Sequence, residues 1–237
     1  FFQDEWSFAQ RWKLVGGLRY WDDSREGSYF GNAPAIPDLG QPEVTIIFGP
    51  DEIFPLGSTV TTADSDQSFD DFTARLQLDY RVNDDVLGYL SYNRGSKSGG
   101  FTFSTGTPFD PNQVAFLNGL IFEPETLNAY ELGMKSSLAG GTVMLNMAAF
   151  YYDYEDYQAF AQLGPIQTVI NQDAEAMGLE IELNAYPTDR LMLQFGASVM
   201  DSKVEDITLP DLATVVDNDL PQAPPFAANT LARYEFP

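Results

Sequence analysis

The chain has 237 residues, with 12 Lys and Arg against 35 Asp and Glu, a net charge of -23, and neither cysteine nor histidine. An acidic excess of that size repels phosphate backbones and anionic lipid, which excludes nucleic acid as a partner and a polybasic membrane anchor. Without Cys there are no disulfides or zinc–thiolate sites, and without His the usual general base and the commonest transition-metal ligand are missing.

Aromatic residues make up 14% of the chain, a composition that belongs to a folded rather than a disordered segment. No run of 18 apolar residues occurs, so no transmembrane helix is expected. The opening Phe1-Phe2-Gln3-Asp4-Glu5-Trp6 reads as mid-strand sequence with no leader, and Tyr234-Glu235-Phe236-Pro237 stops where a turn would begin. The chain is therefore expected to be an internal piece of a larger domain.

In chain order, residues 1–7 and 12–22 form the first two predicted strands. In the second, Trp12, Leu14, Gly16, Leu18 and Tyr20 oppose Lys13, Val15, Gly17, Arg19 and Trp21. Residues 72–80 alternate cleanly, with Phe72, Ala74, Leu76, Leu78 and Tyr80 on one face and Thr73, Arg75, Gln77 and Asp79 on the other. Weaker alternation marks 86–94 and 130–138. In 142–151, Val143, Leu145, Met147, Ala149 and Tyr151 form the apolar set, although Met144 and Phe150 fall opposite. Residues 179–186 set Leu179, Ile181, Leu183 and Ala185 against Glu180, Glu182, Asn184 and Tyr186. Residues 191–199 set Leu191, Leu193, Phe195, Ala197 and Val199 against Met192, Gln194, Gly196 and Ser198, and 228–236 is the last strand.

About nine strands of roughly 9–11 residues match a tilted bilayer crossing and exceed the usual soluble length of about 5–6. Alternation alone fits a soluble sheet with one wet face equally well. The connections decide between them. Short turns (Asn83-Asp84-Asp85, Ala139-Gly140-Gly141, Pro187-Thr188-Asp189-Arg190) alternate with long loops at 23–67, 95–126, 155–173 and 202–225. That is the plan of an outer-membrane barrel, with short periplasmic turns and long extracellular loops. The expected fold is therefore all-β: part of a transmembrane antiparallel β-barrel, with the charged set, including Arg75, Glu180 and Glu182, turned to a wet lumen. Tyr20, Trp21, Tyr80, Tyr92, Tyr151, Tyr152, Tyr154 and Tyr186 fall near strand ends, where either interfacial girdles or ordinary cross-strand packing would put them.

Several segments resemble the barrel of TonB-dependent outer-membrane receptors. Arg94-Gly95-Ser96-Lys97-Ser98-Gly99-Gly100-Phe101 is similar to that family's glycine-rich segment, with Ser96 where an aromatic is common. Phe122-Glu123-Pro124-Glu125 and Tyr130-Glu131-Leu132-Gly133-Met134-Lys135-Ser136 resemble the strand that follows. Leu145 to Tyr154, Asn171 to Glu182, and Leu18-Arg19-Tyr20 match further pieces in the right order. The resemblance implies a 22-stranded barrel plugged by an N-terminal domain and powered by the inner-membrane TonB complex. It further implies import of a scarce small-molecule ligand in a Gram-negative outer membrane, most commonly a ferric siderophore, with vitamin B12-like corrinoids and oligosaccharides as the other cargo classes. The plug, the energy-coupling segment and the terminal strands have no counterpart here. A passive porin and a soluble secreted binding module are the alternative readings.

No motif points to an enzyme, a cofactor or a catalytic residue. The acidic pairs Asp22-Asp23 and Asp64-Ser65-Asp66 match no calcium-loop spacing and read as solvated loops. Tyr29, Phe30, Phe54, Phe103, Phe109, Phe116, Tyr157 and Phe160 could grip a ligand or pack loops, so ligand-contact residues stay unknown. Lys97 and Glu131 read as architectural, one at a strand end and one facing the lumen. The acidic balance does not by itself choose a cargo, because ligand charge is read by local loop residues.

Overall fold

A computed structural model describes residues 2–34, 58–101, 121–163, 166–208 and 215–236. The long strands are β1 (Phe2–Ala9), β2 (Trp12–Pro34), β3 (Ser58–Arg81), β4 (Val86–Lys97), β7 (Glu125–Leu138), β8 (Val143–Leu163), β9 (Ile166–Thr188), β10 (Leu191–Thr208) and β12 (Phe226–Tyr234). Three short strands, β5 (Gly100–Phe101), β6 (Ile121–Phe122) and β11 (Val215–Asn218), and a 3-10 turn at Ala139–Gly141 complete the described elements. The nine long strands and β11 form one antiparallel sheet in sequence order, and β5 pairs with β6 separately. Both β11 and β12 pair with β10, and the sheet does not close on itself.

Cross-strand register turns the period-two pattern into a continuous surface. Trp6, Leu14, Leu78, Leu90, Leu132, Ala149, Leu179, Val199 and Phe226 lie directly opposite one another in succession, one from each long strand. A one-residue slip anywhere would rotate that strand's apolar set to the other face, so the shared row fixes the register. This apolar face is also the open one: Trp6 is 63% exposed, Leu132 62% and Leu179 58%. The described apolar residues that are buried (Val15, Phe69, Phe150, Ala174, Ala176 and Val204) alternate onto the opposite, charged face. A sheet of this size that leaves its greasy side uncovered has the geometry of a barrel wall facing hydrocarbon, which distinguishes it from a soluble sandwich.

Seven of the nine long strands, β2 to β4 and β7 to β10, exceed the expected 9–11 residues, with 12 to 24 each. β2 and β3 stay paired from Trp12 opposite Tyr80 to Pro34 opposite Ser58, and β8 and β9 from Val143 opposite Ala185 to Leu163 opposite Ile166. Much of the expected loops 23–67 and 155–173 is thus two-stranded ribbon. The reason is physical: beyond the apolar band both faces are wet, so period-two contrast vanishes while backbone pairing continues. Across β4, β7, β8, β9 and β10 the transition falls at one register level. There the apolar-face row becomes Arg94, Asn128, Asp153, Glu175 and Lys203, next to Tyr92, Tyr130, Tyr151 and Met177.

The aromatic residues expected at strand ends divide between the faces. Tyr20, Tyr92 and Tyr151 lie on the apolar face toward the ribbons, where Tyr92–Tyr130 and Tyr130–Tyr151 ring centroids are 5.2 and 6.3 Å apart. Tyr80 packs on Trp12 at 4.4 Å beside the short turns. Trp21, Tyr152, Tyr154 and Tyr186 alternate onto the charged face, and so cannot belong to a girdle.

Candidate functional site

The charged face is held by ladders of side-chain bonds. Arg75 donates to Gln77 at 2.6 Å, and Gln77 donates to Asp79 at 2.6 Å. Lys13 sits between Asp79 and Glu5 at 3.4 Å from each, so the 4%-exposed Asp79 carboxylate is compensated from two sides. The Tyr89 hydroxyl donates to Glu131, with the Lys135 ammonium 5.6 Å from the Tyr89 ring centroid. Glycines make room for rings on this face. A Cβ on Gly133 would strike the Tyr89 ring, and one on Gly178 would meet the Val199 carbonyl and the Phe150 ring. Glu180 and Glu182 stand in register with Ala148 and Asn146 on the same face, as the alternation requires. Glu131 is thus a member of the charged face, and Lys97 ends β4 with its ammonium 3.8 Å from Glu125.

At the ribbon end the glycine-rich segment is a strut between two ribbons. A Cβ on Gly99 would lie 2.6 Å from both the Phe122 carbonyl and the Phe69 ring; one on Gly100 would lie 2.9 Å from the Phe122 ring and 3.0 Å from the Arg25 guanidinium. Only glycine lets the β5–β6 pair approach β2 and β3 this closely. On the same side, the Ser98 hydroxyl and the Arg25 guanidinium hold the Asp23 carboxyl below the usual range. The other ribbon reaches in with amides. Gln158 donates from its side chain to the Ser98 and Glu123 carbonyls at 3.0 and 3.1 Å. Asn171 accepts from the Glu123 N–H at 2.8 Å and donates to the Glu123 and Asp156 carbonyls at 3.0 and 2.8 Å. Asp156 has φ of 56° at a register shift in β8, the left-handed conformation that turns its carbonyl toward Asn171.

Asn171 therefore satisfies three backbone groups, two of them on the strut. Replacing it with Ala is expected to raise amide exchange at Glu123 by roughly tenfold, on the order of one charge-free hydrogen bond, and to leave barrel assembly unchanged. Hydrogen exchange read by mass spectrometry on the full-length protein checks this; unchanged exchange at Glu123 would mean the strut is held elsewhere. Sequence reading treated Asn171 only as the first residue of a strand motif and missed Gln158. Their role depends on a partner some 50 residues away, which local pattern does not reveal.

Of the aromatic residues considered for ligand contact, Phe54, Phe103, Phe109 and Phe116 lie outside the described residues. Tyr29 and Phe30 fall in β2, within the stretch whose side chains are not described. Tyr157 is half-buried against Tyr154, their centroids 5.6 Å apart, whereas Phe160 is 69% exposed. Asp22 lies opposite Asp70 across β2–β3, and Asp64 and Asp66 lie opposite Ser28 and Glu26. Among the described residues no group of three acidic side chains is arranged to hold a metal ion.

The family description "TonB dependent receptor-like, beta-barrel" matches residues 1–237. Among solved structures, the chain is similar to the ferric yersiniabactin uptake receptor FyuA of Yersinia pestis, at 21% identity and a TM-score of 0.69, over 97% of this chain and 30% of that one. It is also similar to the siderophore receptor PiuA of Acinetobacter baumannii, at 18% identity and 0.61, over 98% of this chain and 30% of that one. A third is the copper transporter OprC, at 17% and 0.63, over 99% of this chain and 32% of that one. At these identities the likeness establishes the fold, and the chain spans about 30% of the length of FyuA and PiuA.

Proposed function

The chain belongs to the TonB-dependent receptor β-barrel family, and from that membership we propose that it forms part of the wall of an outer-membrane receptor that imports a ferric siderophore. In this reading the apolar face meets outer-membrane lipid, the charged face lines the lumen, the short turns are periplasmic and the ribbons extracellular. The observation that carries it is the nine-strand apolar row left open on a sheet whose other face is charged. Lipid demands that combination, because backbone groups in hydrocarbon must pair within the sheet and side chains facing it must be apolar.

The remaining strands, the plug and the segment that engages the TonB complex belong to the rest of the protein. Siderophore cargo is supported by two similar receptors that are named for siderophore uptake. The alternation and the ribbon asymmetry also fit a passive porin-type barrel. The family match over the whole chain favours the receptor.

A strain lacking the full-length gene should fail to grow on one or more ferric siderophores as sole iron source. Growth should return with the gene and be lost again when TonB is removed. Rescue that does not depend on TonB would favour a porin, and a protein that stays soluble after carbonate extraction would end the membrane reading altogether.

A further inference from the structure

Charge is divided unequally between the two ends of the sheet. Among the described residues of the segments 23–67, 95–126, 155–173 and 202–225 there are 12 Asp and Glu side chains against three basic residues, Arg25, Lys97 and Lys203. Each of the three is engaged by a carboxylate. Arg25 lies 2.8 Å from Asp23, Lys97 3.8 Å from Glu125, and Lys203 2.9 Å from Glu205 and 3.2 Å from Asp217. Arg94, just inside them, is 2.7 Å from Asp71. The carboxylates around Lys203, Glu205 first, raise its pKa, and Asp217 is lowered by the Asp206 backbone N–H and by Lys203. All twelve basic residues of the chain fall within the described residues, and Arg11, Arg81, Arg190 and Arg233 gather at the short-turn end. Within these segments each basic group has a carboxylate beside it, and most of the described carboxylates have no cation beside them. Arg19, exposed on the charged face one register step beyond Arg94, is in no ion pair among the described residues.

Summed over one rim, such an imbalance makes a potential of several kT that concentrates cations and excludes anions. We propose that the mouth built by this chain selects cargo by charge, admitting neutral or positively charged metal complexes and disfavouring net-anionic ones. The inference rests on the reading of the ribbons as the extracellular, ligand-facing end. It narrows the cargo class to complexes such as neutral trihydroxamates or those bearing a pendant ammonium, and away from trianionic tricatecholates. It assigns no cation site.

The field can be read without knowing the cargo. The full-length receptor carrying Ala159→Cys, labelled with a neutral fluorophore, is quenched in turn with thallium(I), acrylamide and iodide. Relative to acrylamide, thallium is expected to quench about tenfold more efficiently than iodide at low salt, with the ratio collapsing near 0.5 M salt. Iodide quenching equal to or above thallium overturns the proposal. In parallel, receptor-dependent growth is scored on a ferric tricatecholate (net −3), a ferric trihydroxamate (neutral) and a trihydroxamate with a pendant ammonium (+1). Growth on either of the last two and not on the first supports charge selection, and growth on the tricatecholate overturns it. If thallium is preferred but no ferric complex supports growth, the mouth's charge selection stands and the iron-import reading falls.

Discussion

Leu193→Arg is expected to impair assembly of the full-length receptor far more than Gln194→Arg, which is expected to leave it nearly intact. The two residues are adjacent in β10, yet the register sends them to opposite solvents. Leu193 lies between Ala185 and Ala232 on the apolar face, and Gln194 lies between Asn184 and Leu231 on the charged face, donating to Asn184 at 2.9 Å. A guanidinium facing hydrocarbon costs about 2–4 kcal/mol at mid-depth and less toward an interface. Leu193 is the third residue of β10, on the short-turn side of the midplane, so its cost is about 2 kcal/mol at most, a shift of up to roughly 30-fold. On the lumen side the same group stays hydrated, and the change costs little beyond the lost Asn184 bond, about 1 kcal/mol. The folded fraction after insertion into lipid vesicles, read by heat-modifiable gel mobility, separates the cases. Equal losses for both variants would show that the faces have been assigned the wrong way round or that neither meets lipid.

Glycine substitutions on the charged face should give the second large effect, in a pattern that distinguishes backbone from side-chain crowding. A Cβ at Gly178 meets the Val199 carbonyl as well as the Phe150 ring, and the carbonyl belongs to a neighbouring strand that cannot move alone. Gly178→Ala is therefore expected to cost about 1–3 kcal/mol, and Phe150→Ala should not rescue it. At Gly133 the nearest obstacles are all atoms of the Tyr89 ring. Gly133→Ala should cost less, and Tyr89→Ala in the same protein should restore most of the loss at the expense of the bond to Glu131. At Gly16 a Cβ meets nothing within 4 Å, so Gly16→Ala should be neutral or slightly stabilising. Urea unfolding midpoints in vesicles measure all three. Rescue of Gly178→Ala by Phe150→Ala would mean that the strands have more freedom than their register implies.

The period-two pattern was legible in the sequence because each crossing strand touches two unlike media. Leu191, Leu193, Phe195, Ala197 and Val199 against Gln194 and Ser198 can be read without any partner, and the same reading carried Arg75, Glu180, Glu182 and Glu131 to the charged face. Side-chain direction in a strand alternates whatever the neighbours are, so face membership is a local property. The order of the family-like segments was equally local, which is why the resemblance and the later whole-chain match agree.

Three things were settled only by the tertiary structure. The ribbon extensions 23–34 with 58–67 and 157–163 with 166–172 lie hidden in the expected loops, since pairing between two wet faces leaves no trace in the hydropathy pattern. The strut formed by Gly99, Gly100, Gln158 and Asn171 depends on contacts between segments far apart in sequence, so neither its need for glycine nor its amide staples could be read locally. The electrostatic character of the mouth likewise needed geometry. A net charge of -23 says nothing of where charge acts, but the structure sets Arg25, Lys97 and Lys203 each beside a carboxylate. Face and period follow from the chain's own stereochemistry; register, ribbon and field arise only when distant strands are set side by side.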